Sequence, residues 1–256
     1  MIVLVTGASS GIGAACAARL EKAGHTVVGA SRSGKGGRVL DVRDPAAIDK
    51  LLADVELEFG RIDAVVNSAG VAVGGPVEDT PLELVQAQFE TNLMGAVYLF
   101  RAAAPYLRRS APSRMIHISS LAAHIALPYQ ALYSASHAGA NAFCQALRYE
   151  MAPHGVRVIV VEPGSFRTGL TTNRRSPELS EPYAKAARTA LDSNDRDELK
   201  GVDPEQLAEL VEKLLTARNP PDRCSAGLWE ERIGLAARRF LPERIFRRII
   251  GSHYGV

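Results

Sequence analysis

An apolar run, Ile2–Val5, breaks off into Thr6-Gly7-Ala8-Ser9-Ser10-Gly11-Ile12-Gly13 and is followed by a helical pattern over Ile12–Ala23. No other stretch restricts the possible folds as much. A strand that turns at once into a helix needs Gly7 for the tight turn, and Gly11 where backbone must approach a ligand. It needs Gly13 where helix and strand meet without a Cβ between them. The first N–H groups of such a helix have no intrahelical acceptor, and its dipole is positive at that end. Together with Ser9, Ser10 and Ile12 the turn therefore forms a cradle for phosphate. The spacing is G-x3-G-x-G rather than the commoner G-x-G-x-x-G, but it sits at the first strand–helix junction, the context the motif requires.

The rest of the chain repeats the alternation. Apolar runs at Thr26–Ala30, Arg38–Leu40, Ala64–Asn67, Arg114–Ser119 and Val156–Val161 lack period-2 polarity, as strands buried on both faces do. Helical patterns lie between them at Pro45–Phe59, Leu82–Leu107 and Tyr133–Met151. The order predicts an α/β fold, a doubly wound parallel Rossmann sheet. The 256 residues read as one domain throughout. Residues 165–201, polar and interrupted by Pro177 and Pro182, are expected to form a lid. Asp203–Ala217 reads as a helix with Asp203 as N-cap and Pro204 at its first position, and a short strand near Cys224–Ala226 would close the sheet.

Bulk properties exclude several classes. The net charge of +2 is too small to argue for nucleic acid. Three widely separated cysteines show neither a disulfide framework nor metal-ligand spacing, so a cytoplasmic location and no metal are expected. No run of about 18 apolar residues occurs, so no transmembrane span is expected.

Which dinucleotide the cradle holds is read at the end of the second strand. An Asp or Glu there would bind the ribose 2′-hydroxyl of NAD. This chain has Ala30-Ser31-Arg32 instead. A guanidinium forks well onto phosphate, so Arg32, helped by Ser10 and Ser31, points to the 2′-phosphate of NADP (NADPH).

Further motifs follow in order. Ile118-Ser119-Ser120 ends a strand, and Tyr133-Ser-Ala-Ser-His137 begins a helix thirteen residues beyond Ser120. Asn67-Ser68-Ala69-Gly70 closes the fourth strand, Thr91-Asn92 lies in the long helix after it, and Pro163-Gly164-Ser165-Phe166-Arg167-Thr168 follows the sixth strand. Over residues 1–170 the chain resembles the short-chain dehydrogenase/reductase family, in its single-domain oxidoreductase branch. The resemblance implies that Asp41 and Val42 meet the adenine, and that Asn67, Ala69 and Gly70 brace the sheet beside the cofactor. It implies that Pro163, Gly164, Phe166 and Thr168 cover the nicotinamide. Asn92, Ser120 and Tyr133 match three of the four catalytic positions of the family, and a homo-oligomer is expected.

The fourth position departs from the pattern, which is Tyr-x-x-x-Lys, because residue 137 is His. In the family the ammonium grips the nicotinamide ribose and depresses the tyrosine pKa. An imidazole, with an ordinary pKa of ~6.5, supplies hydrogen bonds but little fixed charge at neutral pH. Three readings follow. His137 sustains hydride chemistry at altered efficiency; or it marks a scaffold turned to non-redox chemistry (cyclase, isomerase, dehydratase) or to NADP-binding regulation without catalysis; or it is a change that removes activity. On the first reading the protein is an NADP-dependent ketoreductase, with Tyr133 donating the proton, Ser120 holding the carbonyl oxygen and Asn92 positioning a water.

Leu121, Ala122, Leu127, Tyr129, Phe166 and Leu170 would line the pocket and suit a hydrophobic small-molecule substrate. The C-terminus resembles that of hydroxysteroid and retinol dehydrogenase-like members. From Arg232 to Val256 it carries six arginines against Glu243 alone, with Phe240, Leu241, Ile245, Phe246, Ile249 and Ile250 at helical spacing between Pro242 and Gly251. The plainer expectation is a helix packed on its own domain or on a second subunit. The alternative is peripheral contact with an anionic membrane, or a guard at the pocket mouth.

Overall fold

The computed structural model describes residues 1–238 and 240–256. Seven strands form one parallel sheet: β1 (Ile2–Thr6), β2 (Thr26–Ser31), β3 (Arg38–Val39), β4 (Ala64–Asn67), β5 (Ser113–Ile118), β6 (Val156–Pro163) and β7 (Arg223–Ala226). Their spatial order is β3-β2-β1-β4-β5-β6-β7. The chain reverses its direction of travel across the sheet between β1 and β4, which are paired from Val3↔Ala64 to Thr6↔Asn67. A reversal of this kind opens a crevice at the carboxyl ends of the strands.

The strands are apolar at nearly every position because both faces are covered. Successive side chains point to opposite faces. Val3, Val5, Ile116, Ile118, Ile159 and Val161 pack on one side with α1 (Gly11–Lys22) and a later helix, Pro204–Thr216, through Cys16, Leu20, Leu207 and Val211. Leu4, Val65, Met115, Val158 and Val160 pack on the other with α2 (Pro45–Phe59) and with helices at Gly95–Arg109 and Ala131–Met151. Leu52, Leu99 and Phe100 are fully buried there, and truncating such a side chain to Ala costs about 2–5 kcal/mol.

Helix ends follow local chemistry. Asp44 caps α2 by accepting from Ala46 N (2.9 Å) and Ala47 N (3.1 Å), with Pro45 in the first turn. Leu82–Leu107, which reads as one helix, is three pieces: α3 (Leu82–Phe89), a π-helical turn Glu90–Met94, and α4 (Gly95–Arg109). The extra residue in the π turn breaks the 3.6-residue register, so the sequence period does not reveal it. After α5 (Ala131–Met151) the polar segment expected to be a lid contains the 20-residue helix α6 (Glu181–Lys200). Pro182 falls in its first turn, where proline is tolerated. Its buried face, Ala187, Ala190 and Leu191, is too small-residue-rich to stand out among the charged positions.

Asp203 caps α7 (Pro204–Thr216) as expected, accepting from Glu205 N (2.9 Å). Arg19 of α1 pairs with Glu205, Glu209 and Glu212 along α7. Two short helices finish the chain, α8 (Trp229–Ala237) and α9 (Glu243–Tyr254). Pro242 precedes α9, but the helix continues past Gly251 to a left-handed cap at Gly255 (φ 73°). Phe246 and Tyr254 turn inward and the helix lies against α6, whereas Ile245, Ile249 and Arg244, Arg247 and Arg248 stay exposed. No helix among the described residues is long and apolar enough to cross a membrane.

Candidate active site

A cavity of about 970 Å³ opens along the carboxyl ends of the strands. At its centre the turn Thr6–Gly13 has the geometry expected of a phosphate cradle. Gly7 and Gly11 take left-handed φ values of 71° and 53°. A Cβ on Gly13 would lie 2.3 Å from Gly7 O, so only glycine lets α1 start this close to the turn. Ser10 is the α1 N-cap, but its side chain caps nothing, and no acidic residue occupies the first turn. The N–H groups of Gly11, Ile12 and Gly13 are therefore open to an anion. Ser9 and Ser10 line the same wall. Free donors, a bare backbone and no competing acid fit the pyrophosphate of a dinucleotide.

At one end the cavity reaches Ser31, Arg32, Asp41 and Val42, all expected from sequence. Ser31 is already engaged, its hydroxyl donating to Lys35 O (2.7 Å), so it shapes the loop rather than offering a free hydroxyl. Arg32 makes no ion pair among the described residues. Lys35 and Arg43 also line this end and were not singled out from sequence. The signal for Lys35 lies in Ser-Arg-Ser-Gly-Lys, where a turn carries the second cation back toward the first. Arg43 is held by Asp41 (Nη2 to Oδ2, 2.6 Å), and this bond holds Asp41 below the usual carboxylate range.

The loop after β6 covers the cradle. Pro163, Gly164, Phe166 and Thr168 all line the cavity, and a Cβ on Gly11 would meet Thr168 Cβ at 3.2 Å. Two carboxylates set the shape of this loop. Glu198 of α6 accepts from Thr168 N (3.1 Å), Thr168 Oγ1 (2.7 Å), Leu170 N (2.8 Å) and Thr171 N (2.7 Å). Burial alone would raise its pKa, but the hydrogen bonds from Thr171 and Thr168 outweigh burial and hold it below the ordinary value. Glu231 of α8 accepts from Ser165 N (2.8 Å), Ser165 Oγ (2.6 Å) and Leu228 N (3.0 Å). Neither was found from sequence, because each lies 30 or 66 residues from the loop it organises.

At the other end lie Ser120, Tyr133, His137 and Asn92, with Ala69 and Gly70 beside them. Ser120 caps a 3₁₀ turn, accepting from Ala122 N (3.1 Å). Tyr133 opens the first turn of α5, and His137 stands one turn on, its ring 4.5 Å from the Tyr133 ring in an edge-on arrangement. Burial pushes the Tyr133 phenol up, against a smaller downward effect of a hydrogen bond from Ser120, and the Glu198 charge adds to the rise. Burial, with a contribution from His117, pushes His137 down to about 3. His137 is therefore neutral at physiological pH and supplies no fixed charge.

Two expected residues have other partners. Asn92, buried in the π turn, bonds both sides of Val71: Oδ1 accepts from Val71 N (2.9 Å) and Nδ2 donates to Val71 O (3.0 Å). Its amide pins the loop after β4, and the residue also lines the cavity. Asn67 does not reach the cavity wall. It lies beneath, accepting from Thr6 Oγ1 (2.7 Å) and donating to His117 Nδ1 (3.2 Å).

His117, treated from sequence as an ordinary core or surface histidine, lines the cavity on β5. Period-2 alternation along β5 was the available signal, since it turns His117 toward α5. Leu121, Ala122, Leu127, Phe166 and Leu170 line the pocket as expected, joined by Ile125 and, from α9, Ile249 and Ile250. Tyr129 does not line it. It takes a left-handed φ of 58°, strained for an aromatic residue, with its carbonyl accepting from Gly75 N (2.7 Å). His124 is held under the sheet end by buried Glu162 (2.6 Å). No cluster of metal-ligating residues occurs among the described residues.

Comparison with known proteins agrees with this geometry. The family model for short chain dehydrogenase matches residues 1–179. A 3-ketodihydrosphingosine reductase of Bacteroides thetaiotaomicron is 33% identical over 264 residues, covering 100% of this chain and 98% of its own length. Among solved structures, a short-chain dehydrogenase from Streptomyces avermitilis superposes with a TM-score of 0.83 at 29% identity, covering 93% of this chain and 92% of that one. The closed form of a serine dehydrogenase complexed with NADP+ does so with a TM-score of 0.74 at 27% identity, over 89% and 95%. With its sheet order, glycine cradle and Ser120–Tyr133 pair, the chain belongs to the short-chain dehydrogenase family of nicotinamide-dependent oxidoreductases.

Proposed function

We propose that this oxidoreductase uses NADPH to reduce the carbonyl group of a hydrophobic small molecule, or to oxidise the corresponding alcohol. The observation that carries the reading is Tyr133. It is a buried phenol at the cavity wall, protonated at neutral pH as any phenol is, and the hydrogen bond from Ser120 works against the burial that weakens it as an acid. A nicotinamide bound in the cavity supplies or takes up a hydride; the remaining steps belong to the chain. The N–H groups of Gly11–Gly13 hold the pyrophosphate, and Pro163, Gly164, Phe166 and Thr168 cover the nicotinamide half. The Ser120 hydroxyl holds the substrate oxygen where charge develops, and Tyr133 delivers a proton to that oxygen. His137 hydrogen-bonds the nicotinamide ribose, and Asn92 keeps the neighbouring loop in place.

NADP rather than NAD is favoured by Arg32, Lys35 and Arg43 gathered at the end where an NAD site would carry an acid. A hydrophobic substrate is favoured by the apolar wall and by Ile249 and Ile250 at the mouth, and it accords with the reductase of Bacteroides thetaiotaomicron acting on 3-ketodihydrosphingosine. Assay of NADPH and NADH consumption with long-chain ketones tests the reading. Faster turnover with NADPH is expected, and consumption with NADH alone would overturn the cofactor assignment.

One observation favours a second reading, cofactor binding without turnover: no cation replaces the lysine, because His137 is neutral. His137→Lys separates the two. A parent that binds NADPH and reduces nothing, with activity gained in the variant, supports the second.

A further inference from the structure

The last two helices expose a series of large apolar side chains. On α8, Trp229 (66% exposed) and Ile233 lie four residues apart on one face, with exposed Arg232 beside them. On α9, Ile245 and Ile249 repeat that spacing, with Arg244, Arg247 and Arg248 exposed around them. Phe240, between the helices, is 85% exposed. Elsewhere such side chains stand one to an element, as Leu57 on α2 and Tyr149 on α5 do. Single exposures of that kind are ordinary; five between Trp229 and Ile249 are not.

Both helices are anchored by their other sides. Glu231 of α8 turns inward and accepts from Ser165 N (2.8 Å) and Leu228 N (3.0 Å). On α9, Phe246 and Tyr254 are buried, and His253 meets Asp197 of α6 (2.8 Å). The Arg238 guanidinium lies 5.4 Å from the centre of the Phe246 ring and joins the end of α8 to α9. Gly234 of α8 and Ile249 and Ile250 of α9 line the cavity. Ile249 therefore belongs both to the cavity wall and to the exposed face.

Charge selects the partner. Five arginines, Arg232, Arg238, Arg244, Arg247 and Arg248, stand against two outward acids, Glu230 and Glu243. None of the five is in an ion pair among the described residues. A second copy of the chain across a two-fold axis would set this face against itself, arginine facing arginine. An anionic bilayer suits it instead: the acyl boundary takes the apolar groups, and the lipid phosphates take the guanidinium groups. We propose that α8 and α9 dock the protein on an anionic lipid surface. Trp229, Ile233, Phe240, Ile245 and Ile249 then sit at the headgroup boundary, with the cavity mouth against the lipid. Entry of a hydrophobic substrate from that surface rests on the function proposed above; the docking does not.

Trp229 is the one tryptophan of the chain, so its emission reports on this face alone. With vesicles of phosphatidylglycerol and phosphatidylcholine the emission is expected to shift to the blue, and brominated lipids are expected to quench it. Phosphatidylcholine vesicles should give little shift, and so should the anionic vesicles at 1 M salt, where charges are screened beyond about 3 Å. Arg247→Gln with Arg248→Gln is expected to raise the apparent Kd for anionic vesicles roughly twenty- to thirtyfold, about fivefold for each cation. Ile233→Ser with Ile245→Ser is expected to weaken binding as well. All four positions are exposed, so the urea midpoint of both variants should stay at the parent value, which separates lost docking from lost folding. No blue shift, an equal shift with phosphatidylcholine alone, or binding indifferent to both pairs of substitutions would overturn the proposal. So would a dimer that these substitutions dissolve, or capture by polyglutamate, in a protein that leaves the vesicles unbound. Anionic vesicles bound by a protein that reduces no ketone would uphold the docking while the reductase reading fails.

Discussion

The Gly-rich end of the cavity is walled by backbone, and the Tyr133 end by side chains. The cradle works through N–H groups of α1 and through the absence of Cβ atoms at Gly7, Gly11 and Gly13. Its electrostatics follow from helix geometry and vary little with surroundings. The Tyr133 end depends on where each side chain is buried. Tyr133 is raised and His137 lowered by desolvation, and neither shift is a property of the residue alone. A backbone site is thus specified by local sequence, whereas a side-chain site is specified by the packing of distant elements.

The largest effect is expected from Tyr133→Phe. Loss of the proposed proton donor should lower kcat by roughly 10²–10⁴-fold while NADPH affinity is retained, read by steady-state assay and fluorescence titration. Gly13→Val tests the opposite end. Its Cβ would lie 2.3 Å from Gly7 O, so the turn must open, with about 1–3 kcal/mol of lost stability in urea unfolding and loss of cofactor binding. Retained binding would show that the cradle tolerates side chains, and the contrast would fail.

Arg32→Ala should weaken NADPH by roughly ten- to a hundredfold, the scale of a hydrogen bond to a charged group, with NADH unchanged. Equal weakening of both would place Arg32 away from the 2′-phosphate.

The histidines link burial to pH. Both are neutral in the fold, with pKa values near 4 and 3, and both titrate near 6.5 when unfolded. Between those values the unfolded chain binds more protons. Stability is therefore full above about pH 6.5 and falls as the pH drops toward 4 and then 3. His137→Leu should flatten that slope in urea midpoints taken from pH 7 to 4. A smaller change, about 1 kcal/mol, is expected from Asp203→Ala at the α7 cap.

Most of the sheet was legible because buried parallel strands announce themselves as short apolar runs, and Thr26–Ser31 or Val156–Pro163 differ from expectation only at their ends. The π turn at Glu90–Met94 was not, since it shifts register without changing composition. Nor was α6, whose inner face is alanine. Ser120, Tyr133 and the glycines, singled out by their spacing, all line the cavity. His117, Glu198 and Glu231 were missed because their partners are far along the chain and no local pattern marks them.

The sequence alone determined the cradle from Thr6 to Gly13, the parallel α/β order and the presence of histidine at 137, since each is written in consecutive residues and local backbone preference. Only the tertiary structure decided what His137 is. Burial strips it of charge, and a hydrogen-bonded chain from Thr6 through Asn67 reaches His117 on β5. Desolvation and hydrogen-bond direction arise only when residues separated in sequence are packed together.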